Sequence, residues 1–156
     1  MVLATSLIPG LDEIVKGDDP KRRADAARQI AELFFQGAGG FKPEHVEFFD
    51  MVLVGLVPRT ESNVRADIAE RLSSVANAPR ILVGELARED EITIAGPLLR
   101  HSPVLDENML VEIAREKGQE HLLAMAERPV LSTGVTDVIV RRGDREVVRR
   151  TAGNAG

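Results

Sequence analysis

Apolar residues recur every three or four positions along most of the chain, which is the spacing of amphipathic α-helices. The first strong segment follows Asp19 and Pro20, because aspartate can cap the free N–H groups of a helix and proline suits its first position. The apolar face of this helix comprises Ala24, Ala27, Ile30, Ala31 and Phe34. The glycine-rich residues 37–40 predict its end, since glycine readily adopts the left-handed conformation that follows many helices.

The same periodicity predicts eight more helices. Pro43 starts the first of them and Pro58 stops it. Asp106, Ser132 and Asp144 have the residue types of helix N-caps. The predicted helices span residues 43–57, 62–75, 79–87, 91–100, 106–116, 119–127, 132–142 and 144–151.

Two of these helices carry a further expectation. The apolar face of residues 43–57 is wide, so we expect this helix to be deeply buried. Residues 135–140 are rich in β-branched side chains and resemble a strand. We nevertheless predict a helix there, because the segment repeats one that is plainly helical.

That repeat joins residues 102–115 to residues 128–141 at a shift of 26 residues. Pro-Val-Leu stands near the start of both segments, and an isoleucine and an arginine coincide near their ends. Weaker matches continue upstream: residues 85–89 with 112–116 (shift 27), 53–68 with 83–98 (shift 30), and 23–27 with 65–69 (shift 42). Such a series predicts helical hairpins that are each too small to bury their apolar face and that stack to form one core.

We therefore predict an all-α fold, a short HEAT-like α-α superhelix (a solenoid of helical hairpins) with a repeat of 26–30 residues. The whole chain, residues 1–156, forms a single domain in this interpretation. The repeat breaks off after residues 146–154, which correspond to residues 120–128. We accordingly expect either a piece of a longer protein or an end that packs on something else, because a solenoid without a polar cap exposes apolar surface.

Composition narrows the possible functions. The chain contains no cysteine, which excludes disulfides and cysteine chemistry, and it contains no apolar run long enough to span a membrane. Its net charge is −5, and its aromatic residues are five phenylalanines. A broad nucleic-acid-binding surface is therefore disfavoured. The start of the chain lacks the basic region of a signal peptide, and we expect a cytoplasmic protein.

No motif in the sequence indicates catalysis. His45, His101 and His121 stand apart without metal-ligand spacing, and we interpret them as solvent-facing or capping residues. The acidic clusters at residues 18–19, 89–91 and 106–107 suit helix starts and loops. We also find no nucleophile elbow and no phosphate-binding loop, so we assign no catalytic, metal or cofactor-binding residue.

An arginine strip is the one candidate binding feature. Arg88, Arg115 and Arg141 occupy equivalent repeat positions, so stacking would align them along one edge, with Arg142 beside them. Such a strip could bind an acidic partner, but arginine in a last helical turn also complements the helix dipole. We interpret the basic run at residues 21–23 as an exposed helix face.

Several segments resemble a bacterial domain-of-unknown-function family of HEAT-like or leucine-rich-variant helical repeats. They are residues 31–34, 47–53, 65–72, 95–105 and 126–132, and they carry the packing leucines and the prolines of the framework. The resemblance implies a right-handed helical solenoid with no assigned activity, and it supplies no catalytic residues. Family members look longer than this chain.

These observations favour a non-enzymatic scaffold or regulatory module that binds another protein, because solenoids present extended surfaces to partners. The alternative is a helical repeat that binds nucleic acid through the arginine strip. An enzyme is the least favoured class, and we expect no cofactor and no membrane association.

Overall fold

The computed structural model describes residues 11–154, and it is all-helical over that range. Its α-helices are α1 (Leu11–Lys16), α2 (Pro20–Gly37), α3 (Pro43–Leu56), α4 (Ser62–Leu72), α5 (Arg80–Ala87), α6 (Ile92–His101), α7 (Glu107–Glu116), α8 (Gln119–Ala126), α9 (Thr133–Arg142) and α10 (Arg145–Asn154). Short 3₁₀ helices, Ala38–Gly40 and Val57–Arg59, follow α2 and α3. The all-α prediction is thereby confirmed.

Side-chain caps begin four of the predicted helices. The carboxylate of Asp19 accepts hydrogen bonds from the backbone N–H groups of Lys21 and Arg22. Asp106, Ser132 and Asp144 each accept a hydrogen bond from the backbone N–H three residues later. The three predicted N-caps are confirmed, and the β-branched residues 135–140 are helical as expected.

Two local predictions were wrong, and one helix was missed. Helix α1 was not predicted. Helix α2 ends at Gly37 with φ of −110°, so it passes into a 3₁₀ helix rather than a left-handed glycine cap. Helix α3 is less buried than expected, because the side chain of Met51 is 57% exposed on its outer face.

Helices that are two apart in the chain pack against one another. One row runs from α4 through α6 and α8 to α10, and the contact of α4 with α6 is the most extensive in the protein. Helices α7 and α9 form the corresponding pair on the other side, as do α3 and α5. Consecutive helices, such as α5 with α6 and α9 with α10, join the two sides. Within residues 11–154, the helices therefore pack both on their immediate neighbours and on helices two positions away in the chain.

Repeat-equivalent positions share an environment in most of the core. Leu56 and Leu86 are fully buried, as are Ile113 and Ile139. The correspondence fails at Val130, which is 82% exposed although its equivalent Val104 packs partly against the core. Within residues 11–154, no helix is both long and apolar enough to cross a membrane.

Candidate interaction surface

The C-terminal ends of α7 and α9 lie side by side. The guanidinium of Arg142, the last residue of α9, donates hydrogen bonds to the backbone carbonyls of Ala114 and Lys117. The side chain of Gln119 donates to the carbonyl of Arg142 at 2.9 Å and accepts from the N–H of Asp144 at 2.7 Å. These contacts place the last turns of both helices at one edge of the protein.

The starts of α7 and α9 also lie together. A Cβ atom built at Gly134, in the first turn of α9, would come within 2.5 Å of Oε1 of Glu107, the first residue of α7. With both starts and both ends in contact, the two helices run parallel. Arg115 and Arg141, in their last turns, therefore stand at matching heights.

The first arginine of the predicted strip is already paired. Nη2 of Arg88 lies 2.8 Å from Oε2 of Glu112 in α7, and Nη1 donates to the carbonyl of Gly84 at 3.1 Å. The repeat shifts place Val138 in α9 at the position equivalent to Glu112. Arg115 therefore has no carboxylate at the position that corresponds to Glu112, the partner of Arg88.

Arg115 and Arg141 are exposed, and their side chains take part in no hydrogen bond or ion pair among residues 11–154. The same holds for the side chains of Arg145 and Arg149 in α10. Arg142 differs, because the two carbonyls at the end of α7 engage its guanidinium. Of the four arginines predicted to form a strip, two are thus bound within the fold and two face solvent.

Charge is unevenly distributed along the chain. Residues 128–156 contain six arginines and three carboxylates, a net charge of +3, whereas residues 1–127 have a net charge of −8. One apolar side chain lies within the basic region: Val140, 49% exposed, immediately precedes Arg141. The exposed end of α9 therefore combines positive charge with apolar surface.

The three histidines do not come together. Nδ1 of His45 accepts a hydrogen bond from the N–H of Lys42, which confirms a capping role, and His101 is exposed. The expectation for His121 was wrong: it is 5% exposed, and its Nε2 lies 2.8 Å from the carbonyl oxygen of Glu89. Within residues 11–154, no group of three or more metal-binding side chains is placed to hold an ion.

The carboxyl groups with shifted pKa values belong to surface ion pairs. The hydrogen bond from Lys117, 2.7 Å long, is the main reason that the pKa of Asp90 lies below its ordinary value. The hydrogen bond from Arg71 lowers the pKa of Glu32 in the same way. Each of these ion pairs joins one helix pair to another, so both link neighbouring helix pairs.

Two polar contacts, one made by the buried Asp50 and one by the half-buried Arg128, were not foreseen from the sequence. Asp50 accepts hydrogen bonds from the N–H groups at the start of α5, and Arg128 donates to carbonyls at the end of α6. Arg23 was expected on an exposed face, but it is buried and donates to the carbonyl of Gly17. Each of these residues acts on backbone groups that no local sequence signal connects to it.

Two open grooves lie between helix pairs. The larger, about 630 Å³, separates α2 from α4, and the ion pair of Glu32 with Arg71 crosses it. Its floor includes the apolar side chains of Ala31 and Ile68. The smaller, about 290 Å³, lies beside α5, where Ile81 is 63% exposed. Charges of both signs rim the larger groove.

Over residues 11–154, the structure thus defines an all-helical protein with exposed arginines on α7, α9 and α10. The model of a family described as an uncharacterised protein conserved in bacteria (DUF2336) matches residues 94–156. This match confirms the similarity to a bacterial family of unknown function over helices α6 to α10. No curated protein and no solved structure matches the chain.

Proposed function

We propose that this protein is a short HEAT-like solenoid that acts as a non-enzymatic scaffold for another protein. The observation that carries the proposal is the packing of helices two apart in the chain, from α4 through α6 and α8 to α10. In a stack of this kind each pair contacts only its neighbours, and the helices that line one side form a continuous surface. Solenoids use such surfaces to bind peptides and folded partners.

Ties between neighbouring pairs support this interpretation. Arg65 pairs with Glu89, and Arg100 pairs with Glu127, at separations of 24 and 27 residues. These separations are close to the repeat length, so each pair joins one unit to the next. The ties fix the relative positions of the units, which a surface that recognises a partner requires.

In-cell photo-cross-linking tests the scaffold role. A benzophenone amino acid would replace Ile81, Asn108 or Asp137, one at a time, since all three are exposed on α5, α7 and α9. We expect at least one position to yield a discrete cross-linked protein that binds the purified chain with defined stoichiometry. Cross-linking to no protein at any of the three positions would contradict the proposal.

A further inference from the structure

We infer that the four unpaired arginines at the C-terminal edge bind a carboxylate-rich segment of a partner protein. We call Arg115, Arg141, Arg145 and Arg149 the basic edge. The inference deepens the proposed scaffold function and rests on it, since it specifies where on the scaffold a partner binds and by what chemistry.

The basic edge lies on three helices, of which α9 contacts both α7 and α10. Arg115 and Arg141 stand in the last turns of the parallel helices α7 and α9. The guanidinium of Arg142 lies 2.6 Å from the carbonyl oxygen of Lys117, which holds those ends together. Arg145 and Arg149 follow on α10, one helical turn apart and therefore on the same face. Helix α10 packs on α9, so the four arginines lie on neighbouring elements.

These four arginines have no described side-chain partner, whereas three other cations between residues 88 and 150 are paired within the fold. Arg88 pairs with Glu112, Lys117 with Asp90, and Arg150 with Glu127. The basic edge makes no such pair in the part of the chain that the structure describes. The carboxylates of Asp137 and Glu146 stand on the same helices but do not pair with the basic edge in that part either.

The surface around the basic edge favours a polypeptide over other anionic macromolecules. Val140 is 49% exposed beside Arg141, so a ligand here meets an apolar side chain as well as guanidinium groups. A polypeptide can offer both carboxylates and an apolar side chain, and carboxylates accept paired hydrogen bonds from arginine. The sugar-phosphate backbone of a duplex offers only the charge, and the net charge of −8 on residues 1–127 would repel so long a polyanion.

Fluorescence anisotropy with a labelled peptide that repeats Asp-Glu-Leu tests the inference on the full chain at low salt. We expect saturable binding that is lost when Asn and Gln replace the acids. The double variant R141E/R145E should weaken this binding by about tenfold or more, because it replaces two attractive charges with repulsive ones. The control R22E/R28E makes the same charge change on α2, at exposed arginines without a described partner, and should stay within about twofold of the unmodified protein.

Three results would overturn the inference: no binding of the acidic peptide, an equal loss in both double variants, or tighter binding of duplex DNA than of the peptide at the same salt concentration. Circular dichroism would verify that both variants are folded. The scaffold proposal fails separately. If R141E/R145E retains every partner found by photo-cross-linking, the basic edge is not the binding site but the scaffold role stands.

Discussion

The carboxylate of Asp50 in α3 accepts a hydrogen bond from the backbone N–H of Leu82 in α5, at 3.0 Å and across 32 residues of sequence. Its second oxygen accepts from the N–H of Ile81 at 2.9 Å. Helix α5 begins after Pro79, whose side chain offers no acceptor, so it has no cap of its own. A buried acid of one helix pair thus caps the first turn of the next pair, where negative charge also suits the helix dipole.

Replacing Asp50 should therefore destabilise the fold. We expect Asp50→Ala to lower the free energy of unfolding by about 2 kcal/mol, because one buried and one partly buried N–H group lose their acceptor. Urea denaturation followed by circular dichroism measures this. Asp25→Ala is the matched control, since Asp25 is exposed and makes no described contact, and its effect should be within about 0.5 kcal/mol of zero. Equal losses in the two variants would refute the capping role.

Arg128 should stabilise the fold by binding the C-terminal end of a helix, α6. Its guanidinium donates to the carbonyls of Leu99 at 2.8 Å and Ser102 at 2.7 Å, at the end of α6. Burial, which takes the guanidinium partly out of solvent, lowers the pKa of Arg128. We expect Arg128→Met to cost about 1–3 kcal/mol, because the carbonyls lose charged donors while the packing of the stem is kept. Thermal unfolding of this variant beside Arg22→Met, which should change little, would reveal the difference.

The pair of Asp90 with Lys117 predicts a titration shift. The pKa of the Asp90 carboxyl should lie below 3.8, its ordinary value, and should return towards it in Lys117→Met. Because the folded-state pKa of Asp90 is lowered, the ion pair stabilises the fold when the pH is above the ordinary pKa of the carboxyl. The stabilisation is lost as the pH falls through the lowered, folded-state pKa. Carboxyl chemical shifts recorded by NMR against pH provide the measurement. An unchanged titration of Asp90 in the variant would mean that the pair does not persist in solution.

Substitutions at repeat positions should change the stability of the protein according to the burial of the side chain, not according to sequence equivalence. Ile113→Ala and Ile139→Ala should each cost about 2–5 kcal/mol, because both side chains are fully buried. Val130→Ser should change stability by less than about 0.5 kcal/mol, since this valine is 82% exposed. Denaturant midpoints of the three variants test this directly, and a large loss from Val130→Ser would place that residue in an interface.

Helix positions were predictable from the sequence because their signals are local. A cap such as Asp106 acts on an N–H only three residues away, and the apolar spacing of α7 lies within its own ten residues. The repeat settled the one ambiguous segment, residues 135–140. The end of α2 could be located but not its geometry, since glycine permits a left-handed turn without requiring it.

The polar ties could not be predicted, because each depends on a contact between distant residues. In the sequence Asp50 resembles any acidic residue within a helix, and no neighbouring residue indicates that it caps α5. Arg128 likewise binds carbonyls that lie 26 to 30 residues earlier in the chain. The arginine strip could be proposed from equivalence alone, but only the contacts separate the paired Arg88 from the unpaired Arg115.

Methyl NOE spectroscopy on protein labelled at isoleucine, leucine and valine tests the serial packing of helix pairs most directly. We expect NOEs between α4 and α6, between α6 and α8, and between α8 and α10, including cross-peaks that join Ile68 to methyl groups of α6. We expect none between α4 and α10. NOEs joining α4 to α10, or none between α4 and α6, would contradict a stack of successive pairs.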